Sequence, residues 1–403
     1  MNCISCCSSE MEKIIDLGLQ PICHHFIPAD QKESCEDYKF PLSLQHCSNC
    51  GLIQLGVIPP LEQLQPRYDW INYREPEAHL DDFADRILSL LSPDNAGIVA
   101  GVSYKDTSLV DRLVAKGKMK SWMLDVDRLL KSDAGIYPGT ETIQALTNRE
   151  VCMEQIRHSG LCDVLICRHI LEHSFHPADF LDALTQLLKP NGYIVLEVPS
   201  NEKSFEIKDY TVPWEEHTVY FMGKSLKFFL QNNNWEVISF QRYPYPQEDV
   251  LAVVVQKNDN KDNIQGVADA ELQSVRQYGQ AFPDTKRKIR DLFEQEVSRG
   301  RKIAAFGAGH SAISFINTME IAHCFECIID DHPKKQGFLL PGSGLPIVDS
   351  SILQNGNIDL CLLCVNPEIE TKIINSKSDY IANGGTFVSA FPVSDNYILK
   401  GEK

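Results

Sequence analysis

The strongest constraint on this chain is an alternation, met twice, between short apolar runs and segments of helical periodicity. "GIVAGV" (97–102), "SWMLDV" (121–126), "CDVLICRHIL" (162–171) and "YIVLEVP" (193–199) read as strands. "TSLVDRLVAKG", stopped by Gly117, and "PADFLDALTQLL", followed by the turn "KPNG", read as helices between them. "EPEAHLDDFADRILSLL" (75–91) predicts a further helix upstream, with acids in its first turn. Strands that alternate with helices imply a parallel sheet covered on both faces. The polar segment 269–300 carries a helical apolar stripe and connects to a second alternation. There "KIAAFGAGHSAISFINTM" reads as strand, glycine turn and helix, followed by strands in "ECIIDD", "DLCLLCVN" and "GGTFVSAFP". The fold class is α/β, with a small N-terminal module, a central Rossmann-like domain and a smaller C-terminal one.

The N-terminal module is marked by cysteine. Cys3 and Cys6 form one CxxC pair, and Cys47 and Cys50 form another. Four thiolates so paired suit tetrahedral Zn2+, with no coordination position left open, so the metal is structural. Cys7 competes with Cys6 for the fourth place. The 14 cysteines do not point to secretion. No basic region followed by an apolar core opens the chain, and several cysteines lie inside apolar strands, which predicts a reducing cytoplasm. The formal charge of −17 argues against a nucleic-acid polymer or an anionic membrane as partner. No apolar run of about 18 residues predicts a membrane-spanning helix.

Three loops carry candidate chemistry. Arg168, His169, Glu172 and His173 follow "DVLIC", where polar residues at the carboxyl end of a strand face a cleft. "VPWEEHTVYFM" (212–222) sets His217 beside Glu215 and Glu216, a pattern that suits a general base. "AFGAGHSA" with Asp330 loosely fits a dinucleotide fingerprint, without its third glycine.

The ordered set resembles one family over nearly the whole chain, the bacterial nucleotide-sugar C-methyltransferases, which use S-adenosylmethionine. "CISC", "LGLQPICHHF" and "YKFPLSLQHCSNCGLIQL" resemble its zinc-binding domain. "HILEHSFHP" and "EEHTVYF" resemble its catalytic loops. "AAFGAGHSA", "IIDDHPKKQGFLLPGSGLPI" and "DLCLLCVNPEI" resemble its C-terminal domain. The resemblance implies a zinc module over 1–66, a class I methyltransferase-like Rossmann domain over 67–260, a helical linker over 261–300 and a Rossmann-like domain over 301–403. It also implies a substrate, a nucleotide-diphosphate keto-sugar.

By the same resemblance His217 matches the base, Glu216 the carboxylate beside it, and His173 a histidine of the same cleft. Tyr68, in "RYDWINY", matches an aromatic residue closing over the sugar. Gly101, Ser103, Lys105, Asp125, Arg168 and His169 fall at the cofactor positions, with Asp127 competing with Asp125 for the ribose hydroxyls. Trp214 stands where the family often has tyrosine. The cofactor loop departs from the family's glycine-rich pattern: "VAGVSYKDTSL" (99–109) keeps Gly101, but Tyr104, Lys105 and Asp106 occupy the turn. That departure leaves two other readings, a sugar-nucleotide isomerase or epimerase and a non-catalytic binding protein.

Overall fold

The computed structural model describes residues 2–31, 38–71, 75–91, 97–125, 139–258 and 269–401. By contact the chain forms two units. One comprises Met1–Glu12, Gln45–Glu202 and Glu216–Leu272, and the other Lys13–Leu44, Lys203–Glu215 and Gln273–Lys403. The units interleave along the chain. The strands Met11–Pro21 and Lys39–Cys47 each pass from one into the other.

The first unit is built on a six-stranded sheet, in the order Trp235–Tyr243, Asp249–Lys257, Leu188–Ser200, Cys162–Arg168, Ile98–Gly101, Lys120–Met123. The last four strands are parallel. Asp249–Lys257 runs antiparallel to both of its neighbours, Trp235–Tyr243 and Leu188–Ser200. The expected parallel sheet therefore has an antiparallel margin, because a short loop after Tyr243 cannot carry a crossover. Alternate residues serve opposite faces. Val99, Val164 and Ile166 pack with Phe83, Ile87, Leu109 and Leu113 of the helices Leu80–Leu90 and Thr107–Gly117. Ala100, Leu165 and Cys167 join the other cluster, with Phe180, Leu181, Leu226 and Phe229. Burying each large apolar side chain contributes about 1.5–3 kcal/mol, so two-sided burial holds the strand ends where the functional loops begin.

Some boundaries differ from expectation. The helix expected from residue 75 begins at Leu80, with Asp81 and Asp82 in its first turn. Pro76 disfavours helical backbone at Glu75, which leaves that carboxylate outside the helix. The strand from Cys162 ends at Arg168, because His169 turns to φ 52° and a 3-10 turn, Leu171–His173, follows.

In the second unit five parallel strands run in the order Ile347–Val348, Cys327–Ile329, Ile303–Phe306, Leu360–Leu363, Thr386–Ser389. Gly307 stands at φ 105°, and a Cβ there would lie 2.9 Å from the Cys364 carbonyl oxygen, so only glycine fits this turn. The turn leads into the helix His310–Thr318. Among the described residues no helix is long and apolar enough to cross a membrane.

Candidate active site

Two of the three candidate loops meet in the first unit. The 3-10 turn after Cys162–Arg168 presents His173, and the segment before the short strand Val219–Tyr220 presents Glu216 and His217. The imidazoles of His173 and His217 stand perpendicular, with ring centroids 4.6 Å apart. His217 is half-buried, while His173 and Glu216 are buried. His173 Nδ1 lies 2.8 Å from Glu141 Oε1, an ion-pair distance. Polar atoms of Glu172, His173 and His217 lie within 4.8 Å of one another, as do those of Glu141, His173 and Glu216. Three carboxylates thus converge on two imidazoles, an arrangement that suits acid–base chemistry. Tyr68 is half-buried and stacks on Trp70 at 5.1 Å.

Thr218 joins the two loops. Its hydroxyl donates toward the Ser174 carbonyl at 2.6 Å and the Glu172 carbonyl at 3.1 Å. Its own carbonyl accepts from Leu55 N at 3.0 Å. The adjacent strands pair antiparallel, Ile53 with Tyr220 and Gln54 with Val219. Sequence reasoning missed Thr218 and Glu141. Glu141 sits in the first turn of the helix Thr140–Leu146, a position that in sequence reads as an ordinary exposed helix-start acid.

The cysteine cluster lies in the same unit. Cys3 Sγ is 3.5 Å from Cys50 Sγ, and Cys6 Sγ is 3.5 Å from Cys47 Sγ. Four sulfurs about 2.3 Å from one tetrahedral ion stand somewhat under about 4 Å apart, so the donor set fits Zn2+. Cys7 is exposed, at φ 59°, and lies outside the cluster, which resolves its competition with Cys6. Asn49 Nδ2 donates to Cys6 Sγ at 3.4 Å.

The predicted cofactor residues gather at the carboxyl ends of Ile98–Gly101 and Cys162–Arg168. A Cβ on Gly101 would lie 2.5 Å from Met123 Cε and 3.0 Å from Asp106 Cβ. Asp106 ties the turn: it accepts from Val102 N and Ser103 N at 2.7 Å each, and from Arg168 N at 2.8 Å. Burial pushes its carboxyl up to about 7. Ser103 Oγ accepts from Lys105 N. The Arg168 guanidinium bonds Glu197 Oε2 and the Lys105 carbonyl, each at 2.5 Å, and the Pro76 carbonyl at 3.3 Å. Lys105 Nζ lies 2.6 Å from Glu75 Oε1, and His169 Nδ1 lies 3.5 Å from Glu75 Oε2. Burial disfavours charge on all three. It is outweighed at Glu75 by His169 and Lys105, which draw the carboxyl down to about 2. Glu75 in turn raises Lys105 and His169 above their ordinary values. Asp125 is exposed just beyond Lys120–Met123, and Asp127 lies outside the described residues.

In the second unit Trp214 stacks on His310 at 4.5 Å. Asp330 Oδ2 accepts from Ala308 N and from Lys335 Nζ at 2.9 Å each, so the acid of the glycine fingerprint braces its own turn.

Three family models match the chain in order: a zinc binding domain over residues 3–64, a methyltransferase domain over 108–240 and a C-methyltransferase C-terminal domain over 247–392. Together the three models span most of the chain, and their order, zinc binding, methyltransferase and C-methyltransferase C-terminal domain, makes it a methyltransferase. It is similar to the C-methyltransferase NovU of Streptomyces niveus, 21% identical over 97% of this chain and 95% of that protein. A shorter likeness, 34% identical, joins 18% of this chain to 30% of the mitochondrial ubiquinone biosynthesis O-methyltransferase of Schizosaccharomyces pombe. Among solved structures, the 1,6-didemethyltoxoflavin-N1-methyltransferase of Burkholderia thailandensis is 12% identical, with a TM-score of 0.32, over 53% of this chain and 99% of that one. The methyltransferase is an enzyme of S-adenosylmethionine with a structural zinc. Its residues fit both groups. The four sulfurs suit the metal, and the opposite charges of Lys105 and Glu75, at the carboxyl ends of the central strands, suit the amino-acid end of the cofactor.

Proposed function

We propose that this methyltransferase alkylates a carbon beside a ketone in a nucleotide-linked keto-deoxysugar, with His217 as the base. The observation that carries the reading is the pair of perpendicular imidazoles, His173 and His217, set among Glu141, Glu172 and Glu216. A carbonyl makes the neighbouring C–H acidic. Removing that proton requires a positioned base, and the enolate oxygen that results requires a nearby donor. His217, half-buried and beside Glu216, takes the proton. His173, 2.8 Å from Glu141, is assigned the enolate oxygen, a role its ion pair supports. Bound S-adenosylmethionine supplies an electrophilic methyl group. Arg168, Ser103 and Asp106 hold the turn at the cofactor end, and Asp125 offers a carboxylate to ribose hydroxyls. Tyr68 is assigned to the sugar side. The sugar-nucleotide substrate is supported by the family resemblance and by the likeness to NovU, and the zinc module, methyltransferase domain and helical linker end at residues 66, 260 and 300. The enzyme is placed in the cytoplasm, where its cysteines stay reduced.

Solvent deuterium uptake into a keto-sugar nucleotide, followed by mass spectrometry, tests the base. Wild type exchanges the α-proton, and His217→Gln loses about 10²–10⁴-fold in rate while still binding the nucleotide. A His217→Gln enzyme that exchanges and methylates at the wild-type rate would sink the assignment.

A further inference from the structure

The strand order of the first unit has a switch point. From Ile98–Gly101 the chain continues to Lys120–Met123 on one side, then to Cys162–Arg168 on the other. Ligands of doubly wound sheets lie over the carboxyl ends of the strands at that point. What crosses it here is a side chain. Lys105 leaves the loop after Ile98–Gly101, donates to the His169 carbonyl at 3.3 Å and pairs with Glu75 at 2.6 Å. Its side chain is only 4% exposed.

The backbone donors of the same turn are committed. Val102 N and Ser103 N serve Asp106, Lys105 N serves Ser103 Oγ, and Asp106 N serves the Ser103 carbonyl. The Arg168 guanidinium is likewise occupied, by Glu197 and two carbonyls. A glycine-rich loop would offer its N–H groups to an anion, but this turn has none of those four to offer. The ammonium of Lys105 is instead a donor paired with a side chain from outside the turn and its strands, Glu75.

We propose that Lys105 and Glu75 together recognise the amino-acid end of the cofactor by exchanging partners with it. The α-carboxylate replaces Glu75 on Lys105, and the α-ammonium replaces Lys105 on Glu75 and the His169 carbonyl. The inference rests on the chain being an S-adenosylmethionine enzyme. The exchange leaves each buried charge paired throughout, which avoids the several-kcal/mol cost of stranding one. A ligand without an amino-acid end leaves the Lys105–Glu75 pair closed and binds through its adenosine alone.

The test is calorimetric titration of the full-length, zinc-loaded protein with S-adenosylhomocysteine and with 5′-methylthioadenosine. Lys105→Met and Glu75→Gln are each expected to weaken S-adenosylhomocysteine by about tenfold or more, and to change 5′-methylthioadenosine by less than about threefold. Lys105→Arg should restore part of the loss. Equal S-adenosylhomocysteine affinity in wild type and both variants overturns the proposal and leaves the methyltransferase assignment standing. So does a wild type that binds 5′-methylthioadenosine but not S-adenosylhomocysteine, since the pair is then a barrier. A wild type that binds neither overturns the cofactor assignment together with the proposal. Zinc content and thermal melting report folding, and if Lys105→Met does not fold, Glu75→Gln and Lys105→Arg decide by the same criteria.

Discussion

Thr218→Val removes one hydroxyl at the junction of three segments and leaves the side chain's shape unchanged. The hydroxyl is fully buried, 2.6 Å from the Ser174 carbonyl and 3.1 Å from that of Glu172. It has one proton to give, so the substitution deletes one hydrogen bond and deprives a buried carbonyl of its donor. Together these cost about 1–3 kcal/mol. In a unit of this size each kcal/mol lowers the melting temperature by about 2–4 °C, so a fall of about 2–12 °C is expected. The catalytic effect should be larger than the stability effect. The bond ties His217's neighbour to the turn that carries His173. Small misplacements of a base are costly, and a loss of about 10–100-fold in deuterium exchange is expected at a temperature where the variant stays folded. Differential scanning calorimetry and the exchange assay, run on the same preparation, read both effects. A variant that melts within about 1 °C of wild type would show that the bond contributes little. A variant that melts lower but exchanges at the full rate would show that Thr218 supports the fold without positioning the base.

Two further outcomes are expected. Because Leu55 N bonds the Thr218 carbonyl and Ile53 pairs with Tyr220, zinc removal should lower the exchange rate before the sheet melts. Cobalt reloading should restore the rate with the thiolate charge-transfer absorption of a four-sulfur site, and full activity after complete chelation would contradict this coupling. The second outcome concerns Asp209 in the second unit, which accepts from Thr211 N and Oγ1 through one oxygen while burial pushes its carboxyl up to about 6. Its folded value lies above the unfolded one, so the native state holds the proton more tightly. The resulting stability is complete below about pH 4 and is lost as pH rises through about 6, for a total of about 3 kcal/mol. Asp209→Asn lacks that loss and should gain on wild type by about this amount between pH 4 and pH 8 in urea titrations. A difference that stays constant with pH refutes it.

The sequence by itself determined the elements and the chemical inventory. Runs such as 162–168 and 193–199 are apolar on both sides because a central parallel strand is buried on both faces, and that pattern is readable without coordinates. The four cysteines, His173, Glu216 and His217 were legible for a similar reason: close spacing along the chain marks them locally. The tertiary structure decided the pairings. Glu141 reaches His173, Glu75 reaches Lys105, and Thr218 finds the carbonyls of Glu172 and Ser174. Each pairing joins residues separated by about 30 or more positions, where neither periodicity nor spacing carries information. The antiparallel sheet margin and the interleaving of the two units belong with them. Backbone propensity acts over a few residues, whereas a buried charge or carbonyl takes whatever partner the packed core brings within about 3 Å.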